Sequence, residues 1–386
     1  MDPRKSHTIS STEVHHRALS WLVESLRLKD HGWLCKATVV WNIVLRAAAR
    51  CCSLNAACRD LAKGPSDQAV FSALNNGLPK TLRVLENRLN DALVDPLPRR
   101  LQHRCWPVAI DWHEVPYYGQ PKKSRNEICT GKPRQGTTRF HTYATACIVS
   151  HGARYTLAAT WVRGHESTVT VLRRLLTRIR EKGLKIKRLL LDRAFFNSLV
   201  AGFLQGEDVP FVMPVVFRGR KPKKTKKPKP MSLRWLRRQK VGWHRYMLKS
   251  VCLPICIAYR KPKPGARKPK RQKLFFAAWR VSGSPSDIRD LYRRRFGIET
   301  SYRQWRQARI FTCTRDPHLR LLFLVIGLLL RNMWVLLHAT LFAEGRSPSM
   351  TLHLEKLRLR RMLDWIALEV FTQLHDGSPP YVEVAN

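Results

Sequence analysis

Acidic residues are scarce in this chain. Against 71 Lys+Arg there are 27 Asp+Glu over 386 residues, a formal net charge of +44. A chain so one-sided repels itself unless a polyanion neutralises it, so nucleic acid is the expected partner and an anionic membrane surface the rival. Long apolar runs are also missing. The longest, Leu321–Leu330, spans ten residues and is stopped by Arg331 and Asn332. A membrane-spanning helix needs about 20, so this run predicts the middle of a buried helix and no membrane partner. The opening segment, MDPRKSHTIS, has no apolar core of a secretory signal. The ten cysteines show no paired CxxC spacing. Free thiols in a reducing cytosol are therefore expected, with no zinc site. No internal repeat is visible. What is present, 44% hydrophobic residues, is ample for a packed core and excludes simple disorder. The length predicts two or three domains.

Residues 12–100 read as helical, with Thr12 as a possible first cap and Ala37–Ala49 as an apolar-periodic stretch. In SLNAACRDLAKGPSDQAVFSALNNG, Ser53 and Ser66 are N-cap residues for two short helices, Leu54–Ala62 and Asp67–Leu74, broken at Gly64-Pro65. The pair resembles a helix-turn-helix, with an ordinary helical hairpin as the alternative. From Arg104 the pattern changes. Strands are predicted at Val108–Trp112, Thr142–Ser150, Tyr155–Val162, Ile186–Asp192 and Pro210–Val216, with helices at Glu166–Glu181 and Ser198–Gln205. Tyr117–Arg139 reads as a basic polar loop. Three antiparallel strands followed by helix-linked parallel ones is the element order of an α/β RNase H-like domain.

A composition break follows. Arg218–Lys240 holds 12 Lys/Arg in 23 residues, interleaved with proline, and KPKPGARKPKRQK is a second such stretch. That density, including Lys221, Lys223, Lys224, Lys226 and Lys227, predicts phosphate contact. Strands are expected at Trp243–Tyr259 and Leu274–Val281. Ser284-Pro285-Ser286-Asp287 then opens a helix expected to run to about Arg309. Another is expected from Asp316 to about Phe342, and an amphipathic segment at Leu352–Phe371. The implied organisation is a helical N-terminal DNA-binding domain (1–103), a core in two parts (104–217 and 284–345) flanking a β-rich basic insertion (218–283), and a helical tail (346–386).

Three carboxylates stand where such a fold would converge them. Asp111 closes the apolar part of the first strand, Asp192 ends IKRLLLD, and Glu299 lies in the helix after the insertion. An acid directly after an apolar strand is costly unless neutralised. Clustered carboxylates raise one another's pKa unless cations intervene. Mg²⁺ prefers oxygen ligands and bridges to phosphate, so the cluster points to phosphodiester chemistry. At about 100° per residue, Tyr292, Arg295, Glu299 and Arg306 fall within about 60° of one continuous helix face. Lesser candidates are Glu114, His113 and His165, read as structural or surface groups. Trp243, Trp279 and Trp305 are candidates for stacking on an extruded base.

These residues resemble a family, the DDE transposases of bacterial and archaeal insertion sequences. The resemblance is to the cut-and-paste subgroup with the signature Y-x2-R-x3-E-x6-K. Tyr292, Arg295 and Glu299 match, and Arg306 stands where the family has lysine, keeping charge but not geometry. AIDWHEVPYYG and LLLDRAFFNSLV are similar to the two aspartate regions. The resemblance covers roughly residues 104–340. It implies that Asp111, Asp192 and Glu299 are the catalytic, metal-binding triad, with Mg²⁺ (or Mn²⁺ as a substitute) as cofactor. It further implies that Tyr292, Arg295, Arg303 and Arg306 hold double-stranded DNA at transposon ends, and that a homodimer acts on paired ends and target DNA. A prokaryotic cytoplasmic, nucleoid-associated protein is the expected setting. Two alternatives remain at this level: an RNase H-like nuclease that cuts without joining, and a non-catalytic DNA-binding protein derived from a transposase.

Overall fold

Short polar side chains at turns fix where most of the helices begin. In the computed structural model, which describes residues 8–61, 63–120, 127–150, 153–217, 232–260, 272–344 and 351–375, Ser10, Ser53, Ser66, Ser167, Asn197 and Ser284 each accept a backbone N–H of the first helical turn. Such a cap satisfies one of the amides that a helix start leaves without a partner. The elements are α1 (Ser11–Leu26), α2 (Ala37–Arg50), α3 (Leu54–Arg59), α4 (Asp67–Gly77), α5 (Leu82–Val94), β1 (Cys105–Pro116), β2 (Cys129–Arg134), β3 (Thr137–Ile148), β4 (Thr156–Val162), α6 (Thr168–Glu181), β5 (Lys185–Leu191), α7 (Ser198–Gly206), β6 (Phe211–Pro214), β7 (Gly242–Leu248), β8 (Val251–Tyr259), β9 (Lys273–Trp279), α8 (Pro285–Arg293), α9 (Phe296–Trp305), α10 (Pro317–Leu337) and α11 (Leu359–Leu374). The chain forms two compact units. One comprises Met1–Arg99, His151–Trp161 and Glu299–Asn386, the other Arg100–Ser150 and Val162–Ile298, and the second boundary falls inside α9.

The first unit is helical, and its centre is α10. The predicted apolar run lies within it, and Leu319 to Val335 is buried throughout. By length and composition Pro317–Phe342 would cross a membrane, but 94% of its apolar window is buried in the protein. Helices α2 and α5 pack against α10, and α11 against α1 and α2. Polar side chains tie residues 153–161 into this unit. Asn332 donates to the Thr156 carbonyl (2.8 Å) and accepts from its N–H (2.9 Å). Asn90 does the same at Ala159 (3.0 and 2.8 Å), and Glu86 accepts from Trp161 N–H (3.1 Å). These amides and this carboxylate satisfy backbone groups as a neighbouring strand would, which a buried polar edge requires.

The second unit carries a mixed sheet in the order β2-β3-β1-β5-β6-β9-β8-β7. β1 runs antiparallel to β3 and parallel to β5, β5 runs parallel to β6, and the remaining pairs are antiparallel. Helix α6 buries Val171, Leu172, Leu175, Leu176 and Ile179, the face expected from its apolar period.

Four expectations need correction. Ser10, not Thr12, caps α1. The segment read as a loop, Tyr117–Arg139, contains β2, joined to β3 by a turn at Gln135 (φ +50°) and Gly136 (φ +78°). Two consecutive left-handed residues are what a tight hairpin needs, and glycine at the second position accommodates it. Trp243–Tyr259 is not one strand but the hairpin β7–β8, reversing at Lys249 (φ +57°). The helix from Ser284, whose capping box with Asp287 is present, does not run to Arg309. It breaks at Arg294 and Arg295. There the amides of Arg294, Arg295, Gly297 and Ile298 each bond three residues back, to Leu291, Tyr292, Arg294 and Arg295 (2.9–3.1 Å). Tighter bonding advances each residue further than an α-helix does, so the helix from which the four-residue face is inferred is not continuous. Arg306 also lies outside α9, in a 3-10 turn (Arg306–Ala308).

Within the helical unit Trp305 packs into a notch in α10. Its indole donates to the Leu324 carbonyl (2.9 Å). A Cβ on Gly327 would stand 2.7 Å from that indole and 2.8 Å from the Ala308 carbonyl. Trp305 is therefore core, not a free platform for a base. Gly327→Ala should lower unfolding stability by about 1–3 kcal/mol through this overpacking. Chemical denaturation checks it, and unchanged stability would contradict the notch.

Candidate active site

The parallel pairing of β1 with β5 stops at an acid on each strand, where β5 ends and β1 runs on to Pro116 in its ladder with β3. Ile110 of β1 is paired with Leu191 of β5. Asp111 follows the first and Asp192 the second. The apolar runs before them, Val108–Ile110 and Leu189–Leu191, are buried in the sheet. Burial of both runs fixes the register, and so places the two carboxylates next to each other.

One cation serves both. Arg295 donates from Nη1 to Asp111 Oδ2 (3.0 Å), and its Nη2 lies 3.6 Å from Asp192 Oδ1. All three groups are withdrawn from solvent, with side chains exposed by 8% (Arg295), 15% (Asp111) and 30% (Asp192). The rings of Tyr292 and Phe296 lie about 6 Å from the guanidinium carbon. Burial pushes the Asp111 carboxyl up to about 6, and Asp192 adds to the rise. Arg295 and the Trp112 N–H, which donates to Asp111 Oδ1 (3.0 Å), oppose it.

The supports of this pair are residues the sequence did not single out for that role. The Trp112 and Phe195 rings, each just beyond one of the aspartates, stack at 5.2 Å with planes 1° apart. Tyr292 is buried, and its hydroxyl donates to the Leu191 carbonyl (3.2 Å), the last residue before Asp192. Tyr292 thus braces β5 from α8. The only sequence signal for the stack is an aromatic at a short offset from each acid.

The other candidates lie as follows. Glu299, half-buried, is in the first turn of α9 and belongs to the helical unit, where a carboxylate complements the helix start. Arg303 and Arg306 are exposed in that same unit. Lys221, Lys223, Lys224, Lys226 and Lys227 lie outside the described residues. Glu114 is ion-paired with Arg134 (2.8 Å), His113 is buried and His165 is exposed. Trp243 donates to the Gly283 carbonyl (3.0 Å), and Trp279 stacks on Phe211.

Among the described residues no group of three or more His, Cys, Asp or Glu side chains forms a metal cage. The Asp111–Asp192 pair nevertheless fits a hard divalent cation. Both are oxygen donors, and both already converge on one positive charge.

Residues 106–333 match the family model described as "Transposase DDE domain". No curated protein matches the chain. Among solved structures, a cryo-EM piggyBac transposase synaptic complex with hairpin DNA is similar at a TM-score of 0.46 and 12% identity, over 97% of this chain and 75% of that one.

The Asp111 environment has a measurable consequence. Its folded pKa, about 6, lies above the ordinary 3.8, so the folded chain holds this proton longer than the unfolded chain. Its contribution is therefore full below about pH 4, falls by about 3 kcal/mol as pH rises to about 6, and then levels off. Urea unfolding should show the wild type losing about 3 kcal/mol of stability relative to Asp111→Asn as pH rises over this window. A difference independent of pH would contradict the burial argument.

Proposed function

The chain belongs to the transposase DDE domain family, matched over more than half its length, and on that premise we propose that it binds the ends of its own insertion sequence and moves it by metal-dependent cleavage and strand transfer. The core is RNase H-like, with the stretch 218–283 as its insertion. Asp111 and Asp192 hold the metal, with Glu299 as the third carboxylate that the signature implies. Mg²⁺, or Mn²⁺ in its place, supplies the Lewis acidity that activates a water or a 3′-OH and stabilises the leaving oxygen. The observation that carries this reading is the delivery of two aspartates from neighbouring parallel strands onto the arginine of the Tyr-Arg-Glu signature.

The chain's own groups divide the work. The Trp112 N–H orients Asp111, while Tyr292 and the Trp112–Phe195 stack hold the two strand ends in register. Arg303, Arg306 and the lysines 221, 223, 224, 226 and 227 take backbone phosphates, which position DNA without reading its sequence. Two copies act on paired ends in the prokaryotic cytoplasm.

Two measurements test the proposal on the full chain and a duplex carrying the element's end. Asp192→Asn should abolish both cleavage and joined product while leaving duplex affinity within about threefold, since it removes a metal ligand and no phosphate contact. Parallel loss of binding would contradict the metal role. Cleaved ends without joined product from the wild type would make the protein a nuclease. Deleting residues 221–229 should weaken binding and flatten the slope of log affinity against log salt, because each lost phosphate contact lowers that slope by about 0.9. An unchanged slope would reduce the run to a linker.

A further inference from the structure

We infer that Arg295 is the resident counter-ion of the aspartate pair, a guanidinium that a divalent cation must displace before it can bind. The inference rests on the metal reading proposed above. Two carboxylates on adjacent strands, just past their last paired residues, repel each other, and their burial strengthens that repulsion. Arg295 relieves it from within, reaching Asp111 at 3.0 Å and Asp192 at 3.6 Å while itself buried. A divalent ion shared by these two carboxylates needs the oxygens the guanidinium now holds. It would also bring two further positive charges beside a desolvated one. The two cations therefore exclude each other.

The backbone at Arg295 suits a side chain that must leave. The residue is in neither α8 nor α9 but in the three-residue-bonded turn between them. Re-aiming it disturbs no regular helical ladder. On α8, Asp287 is engaged with Ser284 at the helix start, and Asp290 pairs with Arg289. A released guanidinium has the planar fork that matches a phosphate. The same arginine can thus offset half of the aspartates' negative charge in the metal-free site and later meet a backbone phosphate. Metal loading is weak while Arg295 stays on the aspartates.

The test is Mn²⁺ binding to the full-length protein without DNA, read from the electron paramagnetic resonance signal of free Mn²⁺. Removing a charge-assisted competitor should tighten Mn²⁺ binding at least tenfold in Arg295→Ala. Arg295→Gln, which keeps length and hydrogen bonding but not charge, should also bind more tightly than the wild type. A merely structural arginine would give equal or weaker binding in both, and that result overturns the inference. So would failure of both variants to melt cooperatively, which would make Arg295 a brace. Asp111→Asn and Asp192→Asn separate the two levels. If they lose Mn²⁺ and the Arg295 variants match the wild type, the metal reading stands and the counter-ion role falls. If they bind Mn²⁺ as the wild type does, the metal reading itself falls.

Discussion

Two negative charges where the parallel pairing of β1 and β5 stops demand a positive partner, and the sheet-bearing unit supplies one in Arg295. Apolar burial of Val108–Ile110 and Leu189–Leu191 fixes the strands so that Asp111 and Asp192 emerge together. The cost of that placement is visible in the raised Asp111 carboxyl. Arg295 offsets it without opening the site to water. In a chain with 71 basic residues, most positive charge faces solvent or polyanion. Arg295 is buried, as are Arg46, Arg320 and Arg331, and at Arg295 the backbone departs from α-helical bonding.

The supports follow from the same constraint. A carboxylate pair works as a metal site only if its separation is held, and side chains outside the pair do the holding. The parallel stack of Trp112 on Phe195 spans the two strand ends, and the Tyr292 hydroxyl takes the Leu191 carbonyl. In the helical unit, Asn90, Asn332 and Glu86 satisfy the backbone of residues 156–161, and Gly327 leaves room for Trp305. The Asn90, Asn332 and Glu86 side chains bond backbone groups that would otherwise be buried without a partner, as burial of polar atoms requires.

Much of this was legible in the residues. Asp111 and Asp192 stand out because an acid ending an apolar strand run is expensive. Ser53, Ser66 and Ser284 mark helix starts because capping is a local property of a few adjacent residues. The α6 face and the buried α10 follow from periodicity and apolar length alone. What escaped the sequence depends on non-local contacts or on turn geometry. Residues 291–298 have mostly helical composition, and Gly297 is a weak local signal for the break just before it. Gln135-Gly136 is a modest turn signal, and β2, mostly polar and exposed, has no apolar alternation to betray it. Trp305 read equally well as a stacking platform or as core, because the glycine that receives it lies 22 residues on. One of the places where local pattern failed is the turn that carries Arg295, as expected where a site overrides propensity.

The central claim is that Asp111 and Asp192 form a divalent-cation site from which Arg295 must withdraw. Crystals of the protein soaked in Mn²⁺ and measured at the manganese absorption edge test it most directly. The account requires an anomalous peak within bonding distance of oxygens from both aspartates, with the guanidinium moved off Asp111. A peak elsewhere, with Arg295 still bonded to Asp111, would contradict it.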